Sequence, residues 1–294
     1  MKWLYLSILP ILSTFKINAQ GYFSKGKLKT TADYIKFNGF MHFFAAISLI
    51  VFTVRELPCY QTILYALCIS IIAISFQCFY VLSFKNGAVS LSATIVNFSL
   101  TIPIVFSAIV FNEKITQLKW IGLVLAVIAL MLISTNSSKD DNSKKGIKIT
   151  KKWLLFITLA TLTSGFSSVV QQSFSRSEFS NQKELFTALM YVFATIFSFI
   201  LLPFVKKSNQ PLYKSDAKIN IGLVFTGLAL GFYNLLSVSA MAVIPAGEFF
   251  PTLAGLNILI SVVISSITFK EFPSIKQWLG IAVMLCAVVL INLV

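Results

Sequence analysis

Apolar residues in this chain neither alternate with polar ones nor recur only every third or fourth position. They run in blocks close to 20 residues long, broken by short polar joints. A helix needs about 20 mainly apolar residues to cross the hydrocarbon of a bilayer. Ten blocks meet that need, at 3–23, 35–54, 61–83, 88–111, 118–134, 153–175, 184–204, 219–240, 246–269 and 276–294. The pattern therefore predicts an all-α polytopic membrane protein with ten transmembrane helices. It does not suit a membrane β-barrel, whose strands are short and alternate in polarity. The longest joint, Thr135 to Lys152, is rich in Lys, Asp, Ser and Asn and reads as a polar linker. A second, Lys206 to Lys218, separates the seventh and eighth blocks. Neither is long enough for a folded soluble domain.

The first block has a second reading. Met1 to Gln20 also resembles a secretory signal peptide, with Lys2, a short apolar core and Asn18-Ala19-Gln20 near a cleavable position. The internal repeat argues that the block is retained. Phe111, Glu113, Trp120 and Gly122 each reappear 158 positions on, as Phe269, Glu271, Trp278 and Gly280. Near the start of the chain, Ser13, Gln20, Phe23, Ser24 and Lys25 match Ser164, Gln171, Phe174, Ser175 and Arg176 at an offset of 151. Residues 1–134 and 153–294 then form two repeats joined by the 135–152 linker. Five spans is an odd number, so the second repeat enters the membrane in the opposite sense from the first. Inverted repeats of this kind are typical of secondary transporters.

Composition agrees with the spans and adds a charge. The chain is 57% hydrophobic and 12% charged, with mean hydropathy +0.85. A soluble chain is about a quarter charged. The net charge of +14 comes from 24 Lys and Arg against 10 Asp and Glu. With ten spans this is not a nucleic-acid footprint but a lopsided distribution. Seventeen of the cations fall on one side of the membrane and six on the side shared by both termini. By the positive-inside rule both termini lie outside the cytoplasm, in a bacterial inner or plasma membrane. The four cysteines sit in or beside apolar blocks and read as small core residues.

Ionisable groups inside spans are costly and mark cavities or partners. Three stand out: Lys16, His42 and Glu248. Lys16 reads as a cation for an anionic substrate group, or else as a structural pair or a side chain snorkelling to the interface. His42 and Glu248 are the candidates for proton coupling. The other reading of His42 is a hydrogen-bonded structural histidine, and of Glu248 a carboxylate favoured at a helix N-terminus. Ser90, Thr94, Asn97 and Thr101 recur at i, i+4, i+7 and i+11, which places them on one helical face. Adding 158 gives Glu248, Thr252, Gly255 and Leu259, so the related face is polar or small at three of four positions. A second stripe joins Ser164, Ser168, Gln171 and Ser175. Such faces line cavities, and they also serve close helix packing in lipid. Gln20, Gln77, Tyr233 and Asn234 are further substrate-binding candidates. Asn257 joins them only if Pro251 bends its helix, because it lies opposite Glu248 on an ideal one.

With these residues the chain resembles the drug/metabolite transporter superfamily, in its EamA-like ten-helix form. The resemblance is carried by Pro103 through Phe111-Asn112-Glu113-Lys114 to Trp120-Ile121-Gly122. It is carried again by Phe250-Pro251 through Phe269-Lys270-Glu271 to Gln277-Trp278-Leu279-Gly280. It implies a secondary transporter with a central cavity between inverted five-helix halves, working by alternating access. Relatives move amino acids, other small metabolites, nucleotide sugars or amphipathic drugs, many of them outward. Two features depart from the family. Related four-helix drug pumps carry a membrane Glu in the first span, where this chain has Lys16. Ten-helix relatives are pictured with cytoplasmic termini, opposite to the charge count. The partners implied are a small-molecule substrate, the lipid bilayer, and protons or another coupling ion; no nucleic acid and no cofactor is expected. One histidine excludes a multi-histidine metal site, and neither HExxH nor GxSxG occurs, so the chain does not read as an enzyme. A receptor or assembly protein without transport is the alternative class.

Overall fold

The computed structural model describes residues 2–26, 30–53, 57–86, 95–96, 98–134, 150–205, 217–268 and 275–292. These residues are overwhelmingly helical and contain no strand. In chain order the helices are α1 (Lys2–Gly26), α2 (Thr31–Thr53), α3 (Tyr60–Asn86), α4 (Thr101–Val110), α5 (Gln117–Ser134), α6 (Lys151–Ser175), α7 (Lys183–Leu201), α8 (Ala217–Met241), α9 (Ala246–Thr268) and α10 (Ile275–Asn292). A 3₁₀ turn, Phe98–Leu100, leads into α4. Five segments among the described residues are long and apolar enough to cross a membrane: Ala32–Thr53, Tyr60–Tyr80, Lys151–Ser175, Ser180–Phe204 and Asn220–Met241. Three shorter apolar helices accompany them, at Phe98–Val110, Gln117–Ala129 and Trp278–Asn292.

Helix starts follow from local chemistry. The first backbone N–H groups of a helix lack partners, and a hydroxyl just before the helix supplies one. Thr30 does this for α2, accepting from Asp33 N at 3.1 Å. The Asp33 carboxylate accepts from Thr30 N at 2.9 Å in return, closing a capping box. Thr150 accepts from Trp153 N at 3.1 Å ahead of α6. α4 ends where Ser107 O accepts from both Phe111 N and Glu113 N, around Asn112 at φ 51°. Asn is one of the few side-chain-bearing residues that takes this left-handed turn readily. This accounts for Asn112 in the Phe111-Asn112-Glu113 turn.

The chain divides into two compact units. The first holds residues 1–74 and 170–243, the second 75–169 and 244–294. Each unit therefore takes helices from both sides of the 135–152 linker, and α3 and α6 contribute residues to both.

In the first unit α2 packs between α7 and α8. Gly227 and Gly231, spaced as GxxxG, let α8 approach α2. A Cβ on Gly227 would lie 2.8 Å from Met41 O, and one on Gly231 would lie 2.7 Å from Ser48 Oγ. Lipid gives helices no hydrophobic reason to associate, so close backbone approach through small residues supplies the attraction. Around this contact lie Phe37, Met41, Ala45, Leu49, Phe174 and Phe186, all nearly fully buried. The rings of Phe174 and Phe186 stack with centroids 4.0 Å apart. The joints of this unit are tied by side chains. Gln182 accepts from Cys59 N at 3.1 Å and from Thr62 Oγ1 at 2.7 Å. Arg176 Nε donates to Met241 O at 3.3 Å, at the end of α8.

In the second unit α5 lies against α10, and the repeat becomes visible in three dimensions. The buried core of this contact is Ala126, Ala129, Met284 and Ala287, with Leu125 and Val283 packed beside it. Ala126 and Met284, Ala129 and Ala287, and Leu125 and Val283 are each 158 positions apart. Each helix offers its repeat mate the same patch, as a two-fold interface requires. Gly122, near the start of α5, faces Ala287 and Ile291 near the end of α10, so the two helices run antiparallel. A Cβ on Gly122 would sit 2.6 Å from Ile291 Cγ1 and 3.1 Å from Ala287 O. Gly122→Ala is expected to destabilise the fold by about 1–3 kcal/mol through overpacking. Adding Ile291→Ala should restore part of that loss in a double-mutant cycle read by thermal unfolding in detergent. Simple additivity would show that the two helices do not meet at this point.

Candidate functional site

The first unit gathers a polar cluster inside apolar helices. α1 brings Ser13 and Lys16, α2 brings His42, the end of α6 brings Gln171, α7 brings Tyr191, and α8 brings Tyr233, Asn234 and Ser237. Lys16 is half-buried, and its Nζ lies over the Tyr233 ring, 4.9 Å from the centroid. An aromatic face attracts a cation through its quadrupole, and more strongly where water is excluded. The Tyr233 hydroxyl faces those of Ser13 and Ser237. One residue on, Asn234 Oδ1 accepts from Gln171 Nε2 at 3.4 Å. Asn234 Nδ2 donates to the Tyr191 hydroxyl oxygen and to Leu230 O, the latter at 3.2 Å. The Tyr191 hydroxyl in turn donates to Leu230 O at 3.2 Å. The His42 ring lies against that of Tyr191, with centroids 5.7 Å apart. His42 is 5% exposed, and its Nδ1 has no hydrogen-bond partner among the described residues.

Five residues picked out by sequence, Lys16, His42, Gln171, Tyr233 and Asn234, thus fall into one connected cluster. Tyr191 was not picked out, because a tyrosine inside the apolar run Ala188-Leu189-Met190-Tyr191-Val192-Phe193 reads as core. Its phenol is nevertheless the link between His42 and Asn234. Ser237 was not picked out either, although it follows Tyr233 at i+4 and Asn234 at i+3, a spacing that could have found it.

The remaining candidates are placed differently. The Gln20 side chain and Ser90, Thr94 and Asn97 lie outside the described residues. Thr101 is exposed, donates to Phe98 O at 2.8 Å, and borders an apolar crevice of about 270 Å³ in the second unit. Gln77 is half-buried on α3, also in the second unit. Thr252 is buried and accepts from Asn292 Nδ2 at 2.7 Å. Gly255 faces Met284 and Val288, so this face of α9 packs on α10. Asn257 is half-buried, and its Oδ1 finds no partner among the described residues. In the second stripe, Ser164 pairs with Ser99 at 3.0 Å and Ser175 bonds Gln172 O at 2.8 Å. Of that stripe only Gln171 enters the polar cluster.

Glu248 sits in the first turn of α9, 8% exposed, with Oε1 2.6 Å from Lys119 Nζ. Beside it the Glu113 carboxylate accepts from Ala246 N at 3.0 and 3.3 Å, capping α9 from another helix joint. A carboxylate belongs at a helix N-terminus, where unpaired N–H groups carry partial positive charge. Glu113, which reappears in the sequence as Glu271, thus has a structural task.

A family model described as the EamA-like transporter family matches residues 4–135 and again 151–293. The chain belongs to the EamA-like transporter family. It is a multi-pass integral membrane protein of drug/metabolite transporter type, built as two sequence repeats. An uncharacterized protein of Haemophilus influenzae is 26% identical over 195 residues, which are 65% of this chain and 62% of that one. The match thus spans just under two thirds of that relative's length. A crystal structure at 13% identity superposes with a TM-score of 0.77 over 99% of this chain and 96% of the other, a likeness of fold alone.

In this EamA-like chain the Lys119–Glu248 pair is largely shielded from solvent, with side chains 12% and 10% exposed. Removing one member of a buried pair strands the other charge and costs about 3–5 kcal/mol. Lys119→Met should therefore destabilise the protein by about 3 kcal/mol, and the Lys119→Met/Glu248→Gln double variant by less. Thermal unfolding in detergent measures both. A double variant as unstable as the sum of the singles would mean that the pair is not coupled.

Proposed function

We propose that this chain is a secondary carrier that moves a small polar metabolite out of the cell by alternating access. The observation that carries the reading is the polar cluster of the first unit. It holds an ammonium, an imidazole, two phenols and two amides among helices that otherwise present apolar residues. In hydrocarbon such groups are costly, and they accumulate where a solute passes. Membership of a transporter family supports the same conclusion. Alternating access needs only that the solute bind two states of the bundle with matched affinity, so that neither state traps it.

The ten-span topology is part of the proposal. Gln182 binds the Cys59 joint, and Arg176 binds the end of α8. Glu113 binds the start of α9. Each of these bonds joins two connections that a ten-span chain places on one side of the membrane. The charge count puts that side, with both termini, outside the cytoplasm of a bacterial inner membrane. For proton coupling we favour His42, which is buried in the cluster. Glu248 already neutralises Lys119 and stabilises the start of α9.

Reconstituted protein should show saturable, trans-stimulated counterflow of its solute. Asn234→Leu removes the acceptor for Gln171 and the donor to Tyr191. One lost buried hydrogen bond is worth about 1–3 kcal/mol, so transport should fall by about ten-fold or more with the helical content unchanged. A folded protein that binds solutes yet never exchanges them across the bilayer would support the receptor reading.

A further inference from the structure

The polar cluster is unequal in what it leaves unused. Gln171, Asn234 and Tyr191 spend hydrogen-bonding groups on one another and on Leu230 O. Two groups do not. Lys16 carries three N–H donors, yet among the described residues its ammonium meets the Tyr233 ring and no carboxylate. A ring face partly offsets the charge but does not accept hydrogen bonds as an oxygen would. His42 Nδ1 is buried and has no hydrogen-bond partner among the described residues. The two are joined through Tyr233, Asn234 and Tyr191, and the charge of Lys16 acts on the imidazole.

A buried donor without an acceptor costs about 1–3 kcal/mol, and a buried charge without a partner more. Two such groups in one cluster describe the complement of a ligand. That ligand must accept hydrogen bonds at two points and carry negative charge. Among the described residues of the first unit, the acidic ones sit at helix starts and joints. Asp33 closes the capping box at the start of α2. Glu178 and Glu184 lie at the joint and first turn before α7.

Resting on the carrier reading above, we infer that the transported solute carries a carboxylate, held between Lys16 Nζ and the Nδ1–H tautomer of His42. The walls of this seat are the rings of Tyr233 and Tyr191, and the hydroxyls of Ser13 and Ser237 face the same space. Charge-assisted hydrogen bonds from Lys16 and His42 exceed those to a neutral amide, so the seat discriminates by charge at equal shape. A cationic amphiphile is excluded by Lys16 itself.

The chain has one histidine, so full-length protein labelled with ¹⁵N-histidine gives one set of ring-nitrogen resonances. The probes are acetate, benzoate, phenylacetate and glutarate, each beside its neutral amide, and phenethylamine as a cation. At about 10 mM, ten-fold above a millimolar Kd, at least one carboxylate should shift the His42 resonances while its amide and the amine do not. Lys16→Met should weaken that response by ten-fold or more. Lys16→Arg, which keeps the charge, should retain it and guards against a Met variant that is merely misfolded. A silent panel, amides as effective as acids, or a response unchanged in Lys16→Met overturns the inference. Counterflow of the same acids in proteoliposomes is read separately. Binding without counterflow leaves the anion seat standing and removes the carrier reading. Counterflow of cations alone, unaffected by Lys16→Met, does the reverse.

Discussion

Inside hydrocarbon there is no water to hold a charge or finish a hydrogen bond, so every polar group must find its partner within the protein. The rest of the structure depends on that constraint. Backbone groups meet it by coiling into helices. Helix ends meet it with threonines at Thr30 and Thr150 and with the carboxylate of Glu113 at Ala246 N. Lys119 and Glu248 meet it by pairing at 2.6 Å. Lys16, whose ammonium meets a ring face, and His42, whose Nδ1 finds no partner among the described residues, stand together in one unit, and the functional proposal rests on them.

The helices themselves are held by shape. In lipid, apolar side chains gain nothing by leaving one apolar surface for another, so stability comes from backbones brought close. Gly227 and Gly231 do this between α8 and α2, and Gly122 does it between α5 and α10. The second case has a further source. Because α5 and α10 descend from one repeated segment, a patch able to pack on its own copy needs to arise only once. The offset-related pairs Ala126/Met284 and Ala129/Ala287 are the record of that.

The Phe111-Asn112-Glu113 turn divides into two physical tasks. Asn112 takes the left-handed conformation that stops α4, and Glu113 reaches across to start α9. Both tasks concern how the helices of the second unit are assembled.

The sequence by itself determined the membrane class, the repeat, and the identity of the costly residues. All three are written in local terms: unbroken apolar blocks, a constant offset of 158, and a lysine or histidine where none is cheap. Sequence also picked out three neutral or aromatic members of the cluster, Gln171 by its stripe and Tyr233 and Asn234 by their depth in a span. Tyr191 did not stand out, because a tyrosine in an apolar run looks like core until Asn234 from another helix is seen to bond it. Nor could spacing tell that Glu248 faces Lys119, that Thr252 faces Asn292, or that the compact units draw helices from both sides of the linker. Those are contacts between segments 40 to 129 residues apart. Helical periodicity fixes which residues share a face, but only tertiary packing fixes what that face meets.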